Sequence, residues 1–465
     1  MFMTRRNLLK GMASLAVMPM VVHPRFGDAS GSPEVLEPMS GRVQLLPDSY
    51  PATEVWGYGG KVPGPEIRVA QGSRIHRRLV NSLAEPTSVH WHGIHIDNRM
   101  DGVPGLTQEA VSPSSSFEYD FEVPDAGTYW YHSHARSTEQ VARGLYGALI
   151  VEEPTAPEID REETLILDDW LLQENGQLSP DFMSRHDRSH AGRNGNFITT
   201  NGQSDFILPA RQHERFRLRL INAANARIFP LALVGLQGWT VALDGMPLET
   251  PEPVVDMFFL APAQRADLIV DVTAEPGDTA YLARFENKQA HAQISIPVKG
   301  VASSTLRPVP RALPSNSQQV PSLLSESVKV RLVMEGGAMG RMRHAILDGE
   351  RISFRRLAQA NQFWAFNGTV GQTEKPLVDV ARGETVRLVI ENDTVFPHGM
   401  HLHGQHFCEI DENERTGPLR DTLLIFRGET REIAFVADNP GNWLFHCHTL
   451  SHQDSGMKTW IRVRS

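Results

Sequence analysis

Short alternations of apolar and polar residues recur along the chain, and they favour strands over helices. Three runs share the pattern: QGSRIHRRLVNSL (71–83), ARQHERFRLRLINAA (210–224) and ARGETVRLVIENDT (381–394). Each ends near an asparagine, respectively Asn81, Asn222 and Asn392. A period of two sends successive side chains to opposite faces, so each run reads as a strand with one face on a core. A second motif repeats behind each: AGTYWYHSH (126–134), PGDTAYLAR (276–284) and PGNWLFHCH (440–448). Long windows of helical period are few, and Arg355–Asn361 is the stretch expected to form a short helix. With 37 Gly and 31 Pro spacing the strands, the expected class is all-β, three consecutive Greek-key β-sandwich domains made from one repeated unit.

Two stretches break the alternation. Glu152–Glu163 is rich in proline and acid, and Gly300–Glu326 is rich in proline and serine without strong periodicity; both read as connections between domains. The expected domains are 31–155, 160–300 and 327–465, with a linker at 301–326. A length of 465 residues independently suggests about three domains.

The N-terminus has a different texture. Thr4-Arg5-Arg6-Asn7-Leu8-Leu9-Lys10 is similar to a twin-arginine export signal, and the apolar run Met12–Val22 that follows is too short to span a bilayer. Residues 1–30 are therefore expected to be a cleaved signal, with a periplasmic mature protein and no stable membrane span. Removing them takes away Arg5, Arg6, Lys10 and Arg25 with the single acid Asp28, and moves the net charge from −10 to −13. Such an acidic body argues against nucleic acid as a partner. Only two cysteines occur. Cys408, in HFCEI, is expected to be a buried free thiol, and a bridge to Cys447 would consume a thiolate needed elsewhere.

That need comes from HCHTLSHQDSGM (446–457). Thiolate, imidazole and thioether at close range suit copper, and Cys447 with His452 and an axial Met457 has the makings of a blue-copper electron-transfer site. On a strand, His446 and His448 face away from Cys447, toward a second centre. Further pairs stand ready: His90 and His92 in HWHG, His132 and His134 in YHSH, and His398, His401 and His403 in HGMHLHG. The repeats align them. Nine residues past Asn81 and Asn392 lie His90 and His401; nine past Asn222 lies Leu231, with Leu233 two further on. Five and seven past the motif glycine come His132 and His134, or His446 and His448, but Leu282 and Arg284 in the middle copy. The outer copies each offer two HxH pairs and the middle copy none, so apposing the outer copies surrounds one cluster with eight imidazoles.

These four motifs resemble those of the multicopper oxidases, and the resemblance spans nearly the whole mature chain. It implies three cupredoxin-like domains and four coppers. His398, Cys447 and His452, with Met457, would bind the type 1 copper; His90 and His401 the type 2; His92, His132, His134, His403, His446 and His448 the type 3 pair. It also implies one-electron oxidation of a reductant at the type 1 site, through the edges of His398 and His452, with four-electron reduction of O₂ to water at the cluster. Asp101 matches the family's acidic residue near the cluster and is the expected proton relay. Two departures stand out: Gly399 where the family often has proline, and Gln453 where bacterial relatives often have glutamate. The reductant stays open between phenols, aromatic amines and metal ions. Met334, Met339 and Met342 with His344, in MEGGAMGRMRH, are candidates for binding Cu(I). The alternative is a non-catalytic copper-binding or tolerance protein. A monomer is expected, because one chain carries every cluster ligand.

Overall fold

A computed structural model describes residues 32–321 and 327–465; the expected signal segment 1–30 and the end of the second linker lie outside the described residues. The strands sort into three groups, and their topologies repeat. In the middle group a six-stranded sheet runs Phe197–Thr200, Arg161–Trp170, Arg215–Asn222, Arg265–Val272, Leu236–Leu243, Met246–Pro253, facing a five-stranded sheet. The third group repeats both sheets, the six-stranded one centred on Thr385–Asn392 and the five-stranded one on Gly441–Cys447. The first group has smaller versions, a three-stranded sheet holding Arg74–Val80 and a four-stranded sheet holding Gly127–His132. Each aligned run of the sequence is thus the equivalent strand of a cupredoxin-like sandwich. The short helix expected near 355–361 forms at Phe354–Gln359, with the Ser353 side chain accepting the Arg356 N–H as its N-cap.

The histidine motifs occupy the paired strands next to the interface between the outer groups. His90–His92 pairs with Gly127–His132 so that His90 faces His132. His398–Leu402 pairs with Gly441–Cys447 so that His401 faces His446. The equivalent middle pair is Phe229–Val234 with Thr279–Glu286, but there Leu231 faces Arg284 and Leu233 faces Leu282, two residues out of step. An even shift keeps the same side chains on the same face, so counting from Asn222 finds the right face and misses the register. One apolar core runs continuously through the first and third groups, from Leu36 to Val463, while the middle group has its own.

Alternation fails as a guide on one strand. Arg215, Arg217 and Arg219 occupy the polar positions of Arg215–Asn222, yet all three are buried. Arg215 pairs with Asp271; Arg217 with Asp267 and Glu153; Arg219 with Glu162 and Thr128 of the first group. Guanidinium groups tolerate such burial because planar donors can be matched to carboxylates. The second linker adds to this seam: the carbonyl of Pro308 accepts from Arg215, and the amide of Asn316 pairs with the Ala126 backbone. No described helix is long and apolar enough to cross a membrane.

Candidate metal centre

Cys447 ends its strand with its Sγ 3.5 Å from His398 Nδ1 and 3.9 Å from His452 Nδ1, and those two nitrogens are 3.2 Å apart. Three donors converge, as the spacing predicts. Their outer nitrogens are engaged: His398 Nε2–H donates to Thr394 Oγ1 at 2.8 Å, and His452 Nε2–H donates to the His190 carbonyl at 2.7 Å. Each imidazole is thereby set in the tautomer that turns a lone pair toward Cys447. Burial pushes the Cys447 thiol up to about 12 and the His452 imidazole down to about 3. The imidazoles are neutral, and the thiol needs a cation to become thiolate. Met457 is fully buried in the same core, its carbonyl accepting the Cys447 N–H. The rings expected to take in electrons, those of His398 and His452, are 0% and 1% exposed, so a reductant reaches them through a cover and not directly from solvent. Trp364 packs over His452 at 4.2 Å between ring centroids, and the Arg185–Ser189 segment closes the remaining side.

On the other face of the strand, eight imidazoles gather from the first and third groups. His92 stacks on His401 at 3.7 Å and His90 on His403 at 3.9 Å, while His134 lies 5.4 Å from His446 and His132 5.2 Å from His448. All are buried. The nitrogens follow a pattern. Nδ1–H donates to the Asp101 carbonyl from His90, to Ser133 from His132, to Asp421 from His401 and to Cys447 from His446. The Nε2 atoms of His90, His132, His134 and His401 meet no partner, and neither do His92 Nδ1 and both ring nitrogens of His448. His403 Nε2 and His446 Nε2 face each other at 3.0 Å. Unpaired buried nitrogens are costly; so many aimed at one another fit copper, for which imidazole is a suitable ligand. Burial, and then the neighbouring imidazoles, hold His134, His403 and His448 well below the ordinary histidine value.

Asp101 is buried behind the cluster, its carboxylate 3.1 Å from His403 Nδ1. Gln453 is buried too and, with His134, lines a cavity of about 360 Å³ that also touches Asp454 and Lys458. Asp454, whose direction the sequence leaves open, accepts from Thr138 N–H and Oγ1. The methionine stretch does not form one site. Met334 is enclosed in the main core, Met342 packs on a small core cluster beside Gly336, and only Met339 and His344 are exposed. The reason is that Met334 belongs to the strand Val328–Gly336.

Sequence reading missed the residues that hold these ligands. Asp421 takes His92 Nε2–H at 3.2 Å, and Arg265 of the middle group grips both Asp421 oxygens at 2.9 and 2.5 Å. Burial alone would push the Asp421 carboxyl up; Arg265 and His92 hold it well below the usual carboxylate range. His406, buried two residues past the third motif, has both ring nitrogens unpaired. Cys408 and Cys447 are both free and buried.

Multicopper oxidase family models match residues 40–156, 161–307 and 350–465. The multicopper oxidase MmcO of Mycobacterium tuberculosis is 30% identical over 452 residues, covering 91% of this chain and 85% of the relative. Among solved structures, Lac15 from a marine microbial metagenome is 41% identical with a TM-score of 0.75, over 93% of this chain and all of that one. A multi-copper oxidase from Pseudomonas thermotolerans is 31% identical with a TM-score of 0.78, over 93% and 100%. With three matching family models, a full-length relative and a convergent set of sulfur and imidazole donors, the chain belongs to the multicopper oxidases, copper-dependent oxidoreductases that use O₂ as acceptor.

Proposed function

We propose that the chain holds four coppers: His398, Cys447 and His452, with Met457, would hold a type 1 ion, His90 and His401 a type 2 ion, and His92, His132, His134, His403, His446 and His448 a type 3 pair. The observation that carries this reading is the orientation of the rings: His90, His132, His401 and His446 tie their outer nitrogens to backbone carbonyls, His92 and His403 tie theirs to carboxylates, and the inner nitrogens of His90, His92, His132 and His401 meet no partner. When bound, the type 1 copper takes single electrons from a reductant and the cluster supplies the four-electron reduction of O₂ to water. The chain's residues do the rest. Cys447 sits between His446 and His448, so two peptide units join the two centres. His403 Nδ1–H is held by Asp101, whose buried carboxylate is placed to pass protons toward the cluster. The cavity reaching His134 gives O₂ and water a way in. The reductant is a phenol, an aromatic amine or a cuprous ion. Export by the twin-arginine route, a periplasmic location, domains at 31–155, 160–300 and 327–465, and a monomeric state complete the reading.

The test is copper content, visible spectrum and O₂ uptake on the copper-loaded protein, with Cu(I) and with dimethoxyphenol. Four coppers, a blue band and uptake with either reductant are expected. Copper without turnover would favour a binding protein, and copper without the blue band would overturn the type 1 assignment.

A further inference from the structure

Nothing about the space or the backbone at Gly399 requires glycine. Its φ lies outside the left-handed region, and an added Cβ would meet only the Pro262 carbonyl at 3.5 Å, the Ala261 Cβ at 3.7 Å and the Thr422 methyl at 3.9 Å, which are ordinary contacts. What glycine has, and the proline often found there in the family lacks, is a backbone N–H. Gly399 follows His398 in the strand His398–Leu402, and strand backbone groups point alternately to the two neighbours. On one side Leu402 N–H donates to the Asp421 carbonyl at 3.1 Å. On the other, the side of Cys447, the Gly399 carbonyl accepts the His448 N–H at 2.7 Å. The ladder on that side has Met400 opposite Cys447 as its last rung. The Gly399 N–H, one residue past that rung, is turned to the Cys447 sulfur. Thr449 meets the same sulfur, its N–H donating at 3.3 Å and its hydroxyl lying alongside. Two backbone donors from separate segments thus converge on one fully buried sulfur.

We infer that Gly399 is a positioning residue: its N–H is a second backbone donor to the Cys447 thiolate and sets the type 1 reduction potential above that of a proline form. The inference rests on the assignment of Cys447 to a type 1 copper. Hydrogen bonds around the cysteine sulfur are one of the levers on the potential of such a site. The direction follows from charge. A thiolate shares less electron density with a cuprous than with a cupric ion, so its sulfur is more negative in the reduced state. A hydrogen bond to a more negative acceptor is stronger, so each N–H favours reduction. The position also tolerates the comparison. Proline at 399 removes an N–H that lies beyond the ladder, and it asks for an extended residue before it, which His398 already is.

The test is an anaerobic redox titration of the blue band in the copper-loaded wild type, Gly399→Pro and Gly399→Ala. The proline variant should shift the equilibrium against reduction by about tenfold, about 59 mV for one electron, while the alanine variant, which keeps the N–H, should shift it less than about twofold. An unchanged potential in Gly399→Pro with its blue band intact would overturn the inference. An equal fall in both variants would assign the effect to packing and overturn it too. Absence of the band from the wild type would overturn the type 1 assignment and this inference with it. Should the proline variant lose the band through misfolding, pulsed EPR of the oxidised protein carrying isotopically labelled glycine nitrogen decides the matter. A glycine nitrogen coupled to the blue-copper signal is expected in the wild type and should vanish in Gly399→Ala; no such coupling in the wild type would overturn the inference.

Discussion

Arg265→Met isolates what the ligand-free middle sandwich does for the copper cluster. Arg265 is fully buried, and its guanidinium donates to both Asp421 oxygens, to the carbonyls of Asp244 and Ala263, and to the Thr128 carbonyl on the strand that carries His132. Methionine fills similar volume but leaves the Asp421 carboxylate buried without its main counter-charge, with the Asp244 carboxylate also nearby. Removing one partner of a buried pair costs about 3–5 kcal/mol, a large share of the roughly 5–15 kcal/mol that holds a folded domain. Asp421 also orients His92 at 3.2 Å, so cluster copper should bind about 10–100-fold more weakly. His398, Cys447 and His452 do not touch Asp421, so the blue band should survive. The assay is chemical denaturation of the copper-free variant, with copper content and visible spectrum after reconstitution. Gly93→Ala approaches the same pair from outside. A Cβ at Gly93, whose φ is +87°, would press on Arg265 Nη2 and Asp421 Oδ2, so it should lose cluster copper in the same way. If Arg265→Met keeps the wild-type denaturation midpoint and its full copper content, the clamp does not exist.

Cys447→Ser should abolish the blue band and O₂ uptake together, while the eight cluster histidines keep their copper; a blue serine variant would refute the type 1 assignment. Asp101→Asn preserves an acceptor for His403 Nδ1–H but removes the charge, so O₂ uptake should fall about 10–100-fold with copper content unchanged; undiminished uptake would reject the proton relay. The copper-free protein should lose stability steeply as the pH falls below about 6.5. Burial depresses the imidazoles of His92, His132, His134, His398, His403, His446 and His448, with His452 down to about 3, so the unfolded chain takes up protons that the folded chain refuses. Each such histidine contributes a slope of about 1.4 kcal/mol per pH unit below its unfolded value. Denaturation midpoints measured between pH 7 and pH 5 check this, and a flat profile would refute the neutral, buried cluster.

What the sequence made legible was periodic or local. Strand alternation and the repeated asparagine and glycine positions give three sandwiches, and HxH spacing gives ligands that lie on one strand face. Cys447 and its two flanking histidines are separable because a strand alternates. Illegible were contacts made between copies. Nothing in LRDTLL marks Asp421 as the partner of a histidine 329 residues earlier. Nothing in RFRLRLIN says that its arginines face carboxylates rather than water. The methionine stretch misled for the converse reason: proximity along the chain is not proximity in space once Met334 enters a strand core.

The middle copy joins these failures into one point. By sequence it is the degenerate repeat, with Leu231, Leu282 and Arg284 on the face where the others carry histidine. Yet it reaches both proposed copper sites from behind. Arg265 fixes Asp421, and through it His92 and the His401 side of the cluster. His190 fixes the tautomer of His452 on the type 1 side. A ring can be a good ligand only if something holds its other nitrogen. The outer copies have spent their facing surfaces on ligands, so a third body must do part of that holding. Without histidines on that face, the middle copy supplies buried charge at one centre and a backbone carbonyl at the other. Substitutions in it should therefore alter copper affinity and electron uptake without removing a single copper ligand.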